Sequence, residues 1–137
     1  GSIIQSLGLW RNKAENIVKL SIKLVNDFNG EVPQNMADLT SLPGVGRKSA
    51  NVVLGNAFGL PGFPVDTHVN RVLNRLGLGQ ESSPEKIERI VNEATDPAIW
   101  SNFSHLLILH GRDICHARKP ECEVCPLAML CRMNKKY

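Results

Sequence analysis

Aromatic side chains are scarce, at 5% of the 137 residues, so any buried core must rest on Leu, Ile, Val and Ala. No run of about 18 apolar residues occurs, and a membrane-spanning helix is therefore not expected. No charged-then-apolar leader opens the chain, so no secretory signal is read there. Cysteine is absent until residue 115, and all four cysteines fall between 115 and 131. A secreted disulfide protein usually spreads its cysteines along the chain. Clustering at one end points instead to a metal site in a reducing, intracellular compartment. Alternating strand patterns, internal repeats and low-complexity tracts are also missing. Neither sign of charge dominates: the net charge is +3. That mild excess suits a phosphate-bearing partner without requiring one.

What is present is helical periodicity over nearly the whole length, and the expected fold class is all-α. Asn12 is placed to cap a helix with Ala14, Ile17, Val18, Val25 and Phe28 at helical spacing. Asn29-Gly30 stops it. A short helix is expected near Asn35–Leu42 and a third from Arg47 to Phe58, ended by Gly59. The stretch Leu60-Pro61-Gly62-Phe63-Pro64 is a stiff joint and the best boundary between two lobes, residues 1–60 and 61–137. Asp66 then caps a helix reaching about Leu76. Ser82 or Ser83, with Pro84 and Glu85, opens the next. Asp96-Pro97 starts a last one, with Gly111 following it. About three helices in the first sixty residues carry apolar faces too wide for so small a set. Something outside the sequence, a missing N-terminal segment or a second copy, is expected to cover them.

Three local patterns carry chemistry. In the first, Pro43-Gly44-Val45-Gly46 joins two helices, followed by Arg47 and Lys48. Glycines leave backbone amides uncovered, and the positive start of the next helix adds to them, which makes an anion site. A DNA phosphate fits such a site with no base being read. A tight turn without any ligand explains the same residues. Lys48 in the first turn of a helix is disfavoured as a cation, and burial would add to that and free a neutral, nucleophilic amine. The plain alternative is a solvated lysine at a phosphate. In the second pattern, Asp66 reads first as a helix cap, and equally as a carboxylate able to take a proton or stabilise positive charge.

The third pattern is Cys115, Cys122, Cys125 and Cys131, spaced C-x6-C-x2-C-x5-C. Four thiolates this close can converge on one inorganic centre. Zinc sites favour two paired C-x2-C knuckles, and only Cys122 and Cys125 form one. A [4Fe–4S] cube tolerates uneven spacing. Between the first two cysteines, Arg118 and Lys119 lie in a basic loop that is either merely solvated or turned toward a DNA backbone. His68, His105 and His110 read as core or interface residues. Arg71, Arg75 and Arg112 read as solvated or ion-paired.

The segment Leu42-Pro43-Gly44-Val45-Gly46-Arg47-Lys48-Ser49-Ala50-Asn51-Val52-Val53 resembles the helix–hairpin–helix of the endonuclease III family of DNA glycosylases. Val65-Asp66-Thr67-His68-Val69-Asn70-Arg71-Val72 resembles that family's catalytic aspartate segment. His105–Gly111 and the cysteine cluster are similar to the family as well, in the family's order, over nearly the whole chain. The resemblance implies a partial six-helix-barrel lobe holding the hairpin and a helical lobe ending in a [4Fe–4S] loop. It implies Lys48 as a Schiff-base nucleophile, with Asp66 as its essential carboxylate. It further implies DNA contacts through Gly44, Val45, Gly46, Arg47, Arg118 and Lys119, and the four cysteines as ligands of a [4Fe–4S] cluster. The implied partner is double-stranded DNA carrying damaged bases or abasic sites. The implied activity is removal of oxidised pyrimidines followed by β-elimination. A non-catalytic DNA-binding module that keeps hairpin and cluster as docking surfaces is the alternative.

Overall fold

The computed structural model describes residues 1–80 and 82–134; the far end of the expected 61–137 lobe, and Glu81 within it, lie outside the described residues. Among the described residues there are six α-helices and no strand, as the periodicity requires. None of the helices is long and apolar enough to cross a membrane.

The first helix, α1 (Trp10–Phe28), begins earlier than expected. Leu9 enters it in the left-handed conformation, at φ 57°, with no side-chain cap. Asn12 therefore lies inside the first turn and caps nothing. Asn29 and Gly30 close the far end, where the Gly30 amide donates to the Leu24 carbonyl at 2.8 Å. The short helix α2 (Met36–Ser41) is capped by Asn35, whose side chain accepts from the Asp38 amide at 2.9 Å. Helix α3 (Arg47–Phe58) follows the glycine turn. These helices share a small core of Leu39, Leu42, Ala50 and Leu54, with Leu20, Leu24 and Phe28 of α1 packed partly against it. No residue of α1 is buried. Ile17, Val18, Ile22 and Val25 remain 55–65% exposed, so its apolar stripe lacks a cover in this chain.

Beyond the joint come α4 (Thr67–Leu76), α5 (Pro84–Ala94) and, after a 3-10 turn at Pro97–Ile99, α6 (Trp100–Asp113). Ser83 is the cap of α5, with Pro84 in its first turn. A larger core forms here from Phe63, Val65, Val69, Val72, Leu73, Ile87, Val91 and Leu107. Each fully buried side chain of this size contributes roughly 1.5–3 kcal/mol. The joint is pinned to α6. Phe63 is buried with its ring 5.7 Å from that of Phe103, and the Ser104 hydroxyl donates to the Pro64 carbonyl at 2.8 Å.

Gly111 does not follow α6 but lies within it. Its reason is space. A Cβ at this position would lie 2.9 Å from the Cβ of His68, so the missing side chain is what lets α4 lie against α6.

Candidate functional site

The start of α3 is built by the turn before it. Gly44 has φ +78°, a conformation closed to most residues, and the Val45 amide donates back to the Leu42 carbonyl at 3.1 Å. Gly46, at φ −95°, needs no such freedom; it is the cap residue of α3 and supplies no side chain to the helix start. The first amides of α3 therefore have no side-chain acceptor, and the space over Gly46 is open. Uncapped amides at the positive end of a helix can hold an anion, such as a phosphate.

Lys48 and Asp66, which stand on opposite sides of the joint in sequence, line one open pocket together with Thr67, His68, Asn70 and Arg112. Asp66 caps α4: its Oδ1 accepts from the amides of His68 and Val69, both at 2.8 Å. Both bonds use the same oxygen, so Oδ2 remains to serve the pocket. The carboxylate is half-buried, whereas Lys48 is exposed. The burial that would favour a neutral amine is thus not provided by these residues alone. A proton acceptor and an amine facing one cleft can together perform proton transfer and nucleophilic attack at carbon.

Arg47, expected at a DNA phosphate, is already engaged. Its Nε donates to Glu88 Oε2 at 3.0 Å and its Nη2 to Oε1 at 2.6 Å. Those bonds raise the Arg47 pKa above its ordinary value. Glu88 belongs to α5 and is buried, whereas the Arg47 side chain is half exposed and keeps donors toward solvent. Glu88 has no counterpart among the motifs. Only the amphipathic pattern of α5, which puts Glu88 beside the buried Ile87, hinted at it.

The four cysteines are free thiols and line a single narrow pocket, walled otherwise by apolar groups such as Val72, Leu76 and Ile114. Among the described residues, no three His, Cys, Asp or Glu side chains converge on a point that one ion could occupy. Four thiols facing one apolar-walled space are the donor set that a [4Fe–4S] cube takes.

Two arginines read from sequence as solvated or ion-paired instead hold this loop by its main chain. Arg71 donates to the carbonyls of Gly111 at 2.7 Å and Cys115 at 3.1 Å. Arg75 donates to those of His116 and Ala117, both at 2.7 Å, and to Cys115 Sγ at 3.3 Å. The Glu121 amide closes the loop on the Ile114 carbonyl at 2.9 Å. Arg118 and Lys119 are left exposed at its outer edge, free to meet a polyanion. His110 Nε2 lies 3.7 Å from Cys125 Sγ. His105 is exposed.

Residues 1–97 match the model of the HhH-GPD superfamily base excision DNA repair protein, and residues 115–131 match the iron–sulfur binding domain of endonuclease III. That second match spans the segment holding the four cysteines and supports a [4Fe–4S] cluster there. The chain is 52% identical over 130 residues to endonuclease III of Synechocystis sp., covering 94% of this chain and 59% of that protein. It is 45% identical over 133 residues to endonuclease III of Escherichia coli K12, covering 97% and 63%. It thus spans about three fifths of the length of these relatives. A solved structure of a non-covalent endonuclease III–DNA complex superposes with a TM-score of 0.92 at 48% identity, over 97% of this chain and 63% of that one. A thermostable thymine-DNA glycosylase superposes at 0.78 with 30% identity, covering 98% and 64%.

Proposed function

From the premise that the chain belongs to the HhH-GPD superfamily of base excision DNA repair proteins, we propose that it is the hairpin- and cluster-bearing part of a bifunctional DNA glycosylase and abasic-site lyase. The substrate is double-stranded DNA carrying oxidised pyrimidines or abasic sites, met inside the cell. The supporting observation is that Lys48 and Asp66, on different helices and on either side of the joint, line the same open pocket.

In this reading, residues 1–60 form part of the barrel lobe and residues 61–137 the cluster lobe. The uncapped amides after Gly46 receive a backbone phosphate, and the damaged nucleotide turns out of the duplex into the pocket. Asp66 takes the proton of the Lys48 ammonium. The freed Nζ forms a bond to the sugar C1′ as the bond from C1′ to the base breaks. The base leaves with that electron pair and acquires a proton. The sugar ring then opens to an imine on Nζ. Loss of a C2′ proton expels the 3′ phosphate oxygen and nicks the strand. Burial of the amine, which the exposed Lys48 lacks here, comes from the bound DNA, and separate polypeptide covers the apolar stripe of α1. That cover is an N-terminal segment beyond this sequence or a second copy.

Cys115, Cys122, Cys125 and Cys131 hold the cluster, which when bound supplies iron–thiolate cross-links that shape the loop. Arg118 and Lys119 then present their charge to the DNA backbone. No bond-breaking step needs the cluster.

Borohydride trapping tests the reading. The protein incubated with abasic-site duplex and borohydride should yield a covalent adduct, and Lys48→Gln should lose it. Absence of an adduct with the unaltered, full-length protein would favour the non-catalytic docking module.

A further inference from the structure

Glu88 has no part in the chemistry above, yet it is only 5% exposed. A carboxylate so deep needs a partner, because burying an unpaired charge is costly. Its partner is Arg47, 41 residues earlier, held by two parallel bonds of 3.0 and 2.6 Å. Such a fork fixes the plane of the guanidinium as well as its position. Arg47 is the first residue of α3, and Lys48 is the second. The pair therefore ties the start of α3 to α5, two helices with little other contact between them. Pro84, the first residue of α5, lines the same pocket as Lys48 and Asp66.

From this arrangement we propose that Glu88 is a positioning residue for the reaction: by clamping Arg47 it sets the start of α3, and with it the Lys48 amine, against Asp66 across the pocket. The proposal rests on the reading of Lys48 as nucleophile. It carries a distinctive signature. Removing the Glu88 charge loosens the amine but also takes a negative charge away from the hairpin and frees Arg47 for phosphate. Chemistry then weakens while DNA affinity holds or rises. A purely structural residue would weaken both together.

The test uses the full-length protein with its cluster and an abasic-site duplex. The rate of borohydride-trapped adduct at saturating DNA and the Kd for the same duplex without borohydride are measured for the unaltered protein, Glu88→Asp and Glu88→Gln. Glu88→Gln keeps the side-chain length and loses the charge. It should trap about tenfold more slowly or worse, since small misplacements of reacting groups carry penalties of this size. Its Kd should be unchanged or lower. Glu88→Asp keeps the carboxylate and the fold but draws the fork back, and should fall between the two in rate. Trapping at the unaltered rate in either variant overturns the proposal. So does a Glu88→Gln variant whose rate and affinity fall in step with its folded fraction by circular dichroism. An unaltered protein that forms no adduct removes the nucleophile reading and this inference with it. Normal trapping in all three proteins removes only the clamp.

Discussion

In the proposed mechanism Asp66 serves two purposes, and substitution can separate them. Oδ1 satisfies the two helix-start amides of His68 and Val69 while the other oxygen is left for the pocket. Asparagine also caps well, so Asp66→Asn should keep the melting temperature nearly unchanged yet strongly reduce adduct formation, because it cannot accept the lysine proton. Asp66→Ala should lose both, with about 1 kcal/mol of stability gone in a denaturant titration. Equal activity in Asp66→Asn and the unaltered protein would deny the carboxylate its chemical role. The cap was legible because Asp directly before an apolar-periodic run is a local signal. The Arg47 partner was not, because it depends on a glutamate 41 residues away and on how the lobes meet.

At the scale of elements, the cap Asp66, the start of α5 at Ser82 or Ser83 (it is Ser83) and the stop at Gly59 could be read in advance, since each depends on a few neighbouring residues. The two errors have different causes. Asn12 was a plausible cap, but the chain turns at Leu9 and the helix is already running by Trp10. Gly111 looked like a stop because helix propensity is local, whereas its actual role is set by the α4 surface. Gly111→Ala tests that account. Alanine would gain about 1 kcal/mol of helix propensity. The overlap with the backbone-borne Cβ of His68 costs about 1–3 kcal/mol. The net effect should be a lower melting temperature by calorimetry. A higher one would mean that the α4–α6 approach is easily relaxed.

For the whole molecule, the stripe on α1 is the feature that the sequence pattern anticipated and the coordinates leave open. With Ile17, Val18, Ile22 and Val25 all more than half exposed, the chain by itself should self-associate as its concentration rises. Ile22→Lys should reduce that association in sedimentation velocity. It should alter the fold's stability by no more than about 0.5 kcal/mol, because the residue is exposed. A wild-type chain that stays monomeric throughout would refute the prediction. The resemblance gave the class of lesion, oxidised pyrimidines, but not the individual lesion. That choice depends on the walls of a base-sized recess, and no motif in the chain encodes them.

The interior is divided. Among the described residues, four buried side chains gather beneath the hairpin and eight in and beyond the joint, with none common to both groups. Amide protons of α2 and α3 should therefore exchange with deuterium by partial openings, well before those of α4 and α6, which would wait for global unfolding. If so, the part proposed to grip the phosphate is the more yielding foldon, and the cysteine-bearing half is the ballast against which it adjusts.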